Sequence, residues 1–290
     1  MNFPKSSPAL RKGYLFAAIT VCLWASFVWV SRLAGPSGLN SFDLTALRFG
    51  VATVILLPVW WRRRVPLLTA QMLSLAVTGG LGYALLAYTG FRFAPAAHGA
   101  VLLSGTLPFF VTLVAWYRLG ERPSRVRLFA LWVIGGGVAS LAAHSLGSLH
   151  ETWQGDLLMV GGAFVWALYT VLVKQSGKGP WEVTTGVALV SALLYLPVYV
   201  VFLPKQLPDA AWSVIVLQGA FHGVLVVVVA MLCFMQAMAQ LGPTRLGAVM
   251  ATVPALAGLG AVPLLGEPFS LWLLGGLVLT SMGAWLGARS

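Results

Sequence analysis

Charged residues divide the chain into long uncharged stretches. These are mostly apolar and cover 13–31, 65–91, 93–117, 128–149, 157–173, 183–204, 210–244, 246–266 and 268–288. They do not alternate apolar and polar residues, as the strands of a membrane barrel would. At about 1.5 Å per helical residue, most suit a hydrocarbon layer roughly 30 Å thick. The pattern predicts helices over 14–32, 43–61, 68–90, 94–117, 127–146, 156–173, 182–203, 211–236, 244–265 and 269–287. A single helix across 210–244 would be about 50 Å long, so the run must break. Gly242-Pro243, within "LGPTRLG" at 241–247, supplies the turn. The expected fold class is an all-α polytopic membrane protein with ten transmembrane helices.

Composition excludes the soluble rival. Hydrophobic residues make up 59% of the 290 and charged residues 9%, with a mean hydropathy of +0.89. A soluble helical protein of this make-up has no polar surface to wrap its core. The formal charge of +11 is explained by where the basic residues lie. With the N-terminus in the cytoplasm, fourteen fall inside: Lys5, Arg11, Lys12, Arg62, Arg63, Arg64, Arg118, Arg122, Arg125, Arg127, Lys174, Lys178, Arg245 and Arg289. Only Arg32, Arg48, Arg92 and Lys205 fall outside or near an outer end. That bias orients a multi-pass membrane protein with both termini expected in the cytoplasm. The basic N-terminus leads into an apolar stretch too long for a signal peptide, and it reads as an uncleaved first span. "WRRRVP" at 61–66 anchors topology and can touch anionic lipid headgroups.

The same placement leaves no basic, aromatic-rich patch for nucleic acid. Cys22 and Cys233 fall inside apolar runs and are expected to be buried small hydrophobes, not a disulfide or metal site. Gly135-Gly136-Gly137, Gly161-Gly162 and Gly275-Gly276 read as close-packing sites, since no phosphate-loop lysine or strand context accompanies them. No cofactor and no enzymatic activity are expected.

An internal repeat organises the ten spans. "GAVLLSGTLPFFVTLVAWYRLGE" ends at Glu121, and "RLGAVMATVPALAGLGAVPLLGE" ends at Glu267. An offset of 146 aligns Gly120 with Gly266, Glu121 with Glu267 and Pro108 with Pro254, without a gap. An offset of 142 aligns Trp24 with Trp166 and Arg32 with Lys174. The units are 1–150 and 151–290, five spans each. An odd span count makes the second unit enter the membrane from the opposite side, so the halves are expected to be inverted. Gly120 and Gly266 suit left-handed helix ends. Glu121 and Glu267 precede Pro123 and Pro268 and are expected to face the start of the next helix, as caps or as gates.

Two five-span halves, a tryptophan in spans one and six, and a Pro…Gly-Glu signature in spans four and nine resemble the drug/metabolite transporter superfamily. The similarity is greatest to EamA-type permeases and covers about residues 14–287; "TALRF" at 45–49 matches that family's second span. The resemblance implies an exporter of amino acids, metabolites or toxic compounds in the cell inner membrane, and the inverted halves imply alternating access. It implies a path between spans one, three, four, six, eight and nine. On this chain that gives Trp24, Tyr83, Tyr88, His98, Pro108, Trp166, Tyr169, His222 and Pro254. Position 190 is valine, so Arg48 has no counterpart in the second half.

Polar groups deep in a span face the bundle interior or a cavity. No Asp or Glu falls near mid-span. His222, with Gln218 four residues earlier on its face, either bonds a neighbouring helix or carries protons for coupled transport. Arg48 either snorkels to the surface or binds a substrate carboxylate. The aromatic residues suit amphipathic or aromatic solutes. The alternative is a lipid scramblase or lipid-modifying enzyme, which would show clustered His, Asp or Ser at a membrane face. Expected partners are a small-molecule substrate and membrane lipids, in a monomer or homodimer.

Overall fold

The computed structural model describes residues 8–144 and 149–289. Lys5 and the predicted end of span five at 146 lie outside them. Ten helices are long and apolar enough to cross a membrane among the described residues. They are α1 (Ala9–Ala34), α2 (Ser41–Arg63), α3 (Ala70–Phe93), α4 (Ala96–Leu119), α5 (Arg125–Ala143), α6 (Thr152–Ser176), α7 (Pro180–Phe202), α8 (Trp212–Gly242), α9 (Thr244–Leu265) and α10 (Leu271–Ala288). Gly242, at φ 75°, interrupts the helical run between α8 and α9. The eighth span therefore runs to this turn instead of stopping at 236.

Local chemistry sets the ends. Asn40 Oδ1 accepts from the N–H groups of Phe42 and Asp43, and Asp43 accepts in return from the Asn40 N–H, which starts α2. Thr69 and Ser270 cap α3 and α10 through Met72 N and Leu273 N. Gly120 and Gly266 close α4 and α9 in the left-handed region, both at φ 69°. Pro108 and Pro254 each stand in the first turn of the last helical segment of their span. Three stretches widen into π-helical turns: Ala76–Gly82 in α3, Ala100–Gly105 in α4 and Ala220–Ala230 in α8. Such turns recur at functional sites.

The spans of the two halves pack across each other. The pairs α2 with α7, α4 with α9 and α5 with α10 each join equivalent spans. The α3–α6 contact is answered by α1–α8, and the α4–α6 contact by α1–α9. Small residues allow the closest approaches: a Cβ on Gly137 would lie 2.9 Å from the Gly276 carbonyl oxygen, so α5 and α10 touch through backbone. The outward faces carry large apolar side chains such as Trp132, Phe202 and Leu271, which suit lipid. Cys233 is buried, whereas Cys22 is exposed, contrary to expectation. Lipid-facing surface is as apolar as the interior, so a small hydrophobe has no reason to be inside.

Candidate functional site

A cavity of about 580 Å³ runs into the bundle, within the size range of small-molecule sites. Both members of two repeat-related pairs line it, Trp24 with Trp166 and Pro108 with Pro254. Tyr83 and Arg48 join them. Tyr83 and Trp166 stand 4.6 Å apart between ring centroids, and Trp24 stacks on Phe234 at 5.2 Å. The wall also includes residues that the sequence did not single out, chiefly Phe27, Ser104, Thr112, Thr170, Ile134 and Gly283. The last two bring α5 and α10 into a path expected from six other spans. Past Arg127 both helices are mostly apolar, so little polar signal marked the inward face.

Behind the wall lies a buried polar chain. Arg48 Nη1 donates to Tyr88 Oη at 3.2 Å, and Tyr88 Oη is 3.0 Å from His222 Nδ1. A guanidinium only donates, so the Tyr88 hydroxyl accepts from Arg48; its own proton has no other acceptor, and it goes to His222 Nδ1. That arrangement selects the neutral imidazole with the hydrogen on Nε2, an atom that is buried without a partner. Phe27 packs against both rings. Gln218 Nε2 donates to the Val30 carbonyl at 3.2 Å, tying α8 to α1. Arg48 is 5% exposed and does not snorkel. Asp43 is turned away from it and accepts from the Tyr199 hydroxyl at 2.6 Å. Tyr88 and His222 thus sit beside Arg48, and with Gln218 they lie off the main cavity wall. Tyr169 lines a neighbouring void of about 30 Å³ that shares Arg48 and Trp166. His98 is elsewhere, paired with Asp156 at 2.6 Å between α4 and α6.

The two ends of the bundle differ. Around Glu267, the backbone N–H groups of Ala96 and Ala97 donate to its two carboxylate oxygens at 2.5 and 2.8 Å. These are orphan donors at the start of α4, where a negative charge is favoured. The sequence had placed Glu267 at its own following helix; the helix it caps lies 171 residues away. The Trp29 indole donates to the Ala257 carbonyl and Arg32 to the Phe91 carbonyl, each at 2.6 Å. These bonds join α1, α3, α4 and α9 at that end. Glu121 makes no such cap: it pairs with Lys174 at 2.6 Å in an exposed ion pair. Both residues stand on the cavity wall, with Leu119 and Ala288 at helix ends beside them. The cavity therefore opens at the Glu121 end and is sealed at the Glu267 end. The sequence paired the two glutamates by motif and gave no sign that only one caps a helix.

Comparison with known proteins follows the same division. The profile of the EamA-like transporter family matches residues 11–143 and again 153–288. The threonine/homoserine exporter RhtA of Escherichia coli K12 is 30% identical over 261 residues, covering 85% of this chain and 82% of its own. The aromatic amino acid exporter YddG of Ancylobacter novellus is 27% identical over 214 residues, covering 71% and 73%. A solved crystal structure superposes with a TM-score of 0.65 at 23% identity, over 97% of this chain and 96% of its own, which supports the fold.

Proposed function

The chain belongs to the EamA-like transporter family, and from that premise we propose that it is a secondary exporter of small organic solutes, amino acids and amphipathic metabolites among them, working by alternating access. The observation that carries this reading is the cavity itself: mostly apolar, aromatic-walled, open at one end and bonded shut at the other. The exporters RhtA and YddG among its relatives support the solute class. The fourteen-to-four division of basic residues puts both termini and the Glu121 end in the cytoplasm. The cavity then faces inward, ready to load a solute for export.

The two halves act as inverted repeats in this reading. Glu267 is the latch of the outer end, holding the start of α4 in the inward-open state. Glu121 is its repeat-related partner and waits with Lys174. When the bundle rocks, Glu267 releases α4, the outer end opens, and Glu121 becomes free to bond the start of α9. Gly120 and Gly266 give each glutamate its turn.

The test is counterflow in proteoliposomes preloaded with threonine, homoserine or phenylalanine, using the labelled solute outside and no ATP. Accumulation of label above that in empty vesicles is the expected result. Failure with all three solutes, with folded protein verified in the vesicles, would count against this solute class. Repeating the assay across an imposed ΔpH reads proton coupling.

A further inference from the structure

We propose that the cavity selects solutes by a carboxylate group, and that Arg48 is the residue that holds it. The substrate class is a small organic anion with an apolar or aromatic body. The inference deepens the transporter reading above and rests on the same cavity.

Three observations carry it. First, Arg48 is a charge without a counter-charge. It lines the cavity at 5% exposure, and its side chain makes one polar contact, through Nη1, to the neutral Tyr88 hydroxyl. Its Nε is buried with no partner. The ion pairs His98–Asp156, Lys174–Glu121 and Lys178–Glu182 do not include it. Asp43, the nearest acid along the chain, is committed to Tyr199, to Asn40 N and to Gln206 N. A guanidinium has five donors in a fork that matches a carboxylate, so most of its capacity is unspent. A buried charge left unpaired in a membrane is costly, and such residues mark substrate paths.

Second, the rest of the wall offers no carboxylate to a cation at that depth. Its charged residues are Arg48, Arg127, Lys174 and Glu121. The single acid is already paired with Lys174 at the exposed mouth. An ammonium carried to the Arg48 end would meet a positive charge and no carboxylate. Third, the aromatic rings of Trp24, Phe27, Tyr83 and Trp166 share the wall with Arg48. They supply a surface for the body of the solute, while the guanidinium fixes its head.

Tyr88 and His222 serve as positioning residues. They hold the guanidinium from behind through Nη1 and leave Nη2 without a protein partner for a ligand.

The experiment compares four probes of one shape by titration calorimetry on the purified full chain: 3-phenylpropionate, phenylalanine, 3-phenylpropionamide and phenethylamine. The acid should bind on the order of 10–100-fold more tightly than the amide, as expected for a hydrogen bond to a charged group. Phenylalanine should fall between, and phenethylamine should be weakest. In Arg48→Met the acid should lose its advantage over the amide, while the amide keeps its own affinity. Wild-type protein that binds the amide or the amine as well as the acid, or that does not bind the acid, overturns the proposal without any variant. Counterflow with the same probes separates the two readings. Transport with no preference for the acid removes the carboxylate rule and leaves the transporter. Acid-selective binding with no counterflow of any probe supports the site and counts against the transporter.

Discussion

Arg48, Tyr88 and His222 come from α2, α3 and α8, so one hydrogen-bonded chain fastens three spans. Tyr88→Phe removes the middle link and keeps the ring. It leaves Arg48 Nη1 and His222 Nδ1 buried without partners, at about 1–3 kcal/mol for an unsatisfied group. The expected outcome is a lower unfolding midpoint in detergent, with expression retained. His222→Gln should be milder, since glutamine offers Tyr88 an acceptor; a larger loss than in Tyr88→Phe would contradict the chain of bonds. The same variant addresses proton coupling. His222 is 0% exposed and off the cavity wall. We expect the dependence of transport rate on ΔpH in His222→Gln to match wild type when normalised to folded protein; loss of that dependence would make His222 the coupling residue. Each of the three residues stood out in the sequence as a polar group in an apolar run. Their mutual contact did not, because it needs three helix rotations that nothing along the chain specifies.

At the scale of elements, the helix ends were legible and the helix faces were not. Gly-Glu and Gly242-Pro243 announce ends through turn chemistry that acts over a few residues. By contrast, α5 and α10 lack any polar stripe, and their glycines fit close packing on any side. Their place against each other and on the cavity emerged only in three dimensions. Glu267 shows the same limit, since a cap can be read from sequence only when its helix is the next one. Its proposed role as a latch makes a measurable claim. In Glu267→Ala the N–H groups of Ala96 and Ala97 lose their acceptor, and the start of α4 loses a favourable charge of about 0.3–2 kcal/mol. Spin labels at Phe93 and Phe269, both exposed, should report a longer or broader distance in Glu267→Ala than in wild type by double electron–electron resonance. Glu121→Ala should leave that distance unchanged, because Glu121 holds nothing at that end. An unaltered distribution in Glu267→Ala would reduce the residue to a local cap.

For the whole molecule, apolar length marked nine of the ten spans and the stretch around Arg48 the tenth, because each crossing requires a helix that satisfies its own backbone. Direction comes from a different force. Basic residues resist translocation, so the fourteen-to-four division predicts a cytoplasmic N-terminus, and five spans per half would then reverse the second unit. The contacts agree with a swap of the halves: α3–α6 is answered by α1–α8, and α4–α6 by α1–α9. An inverted pair places the two Gly-Glu turns on opposite faces, and this is open to a direct test. The background would carry Cys22→Ser and Cys233→Ala, since Cys22 is exposed and would itself react. Ser124→Cys reports the turn after Glu121; it gives up the bond to Arg127 N, a cap contribution of about 1 kcal/mol on an exposed turn. Phe269→Cys reports the turn after Glu267 and is preferred to Ser270, whose hydroxyl caps α10 through Leu273 N. In intact cells an impermeant maleimide should label the cysteine at 269 and spare the one at 124. In inside-out vesicles the pattern should reverse. Labelling of both from one face would mean that the halves run parallel, and the alternating latch of Glu121 and Glu267 would fall with the inversion.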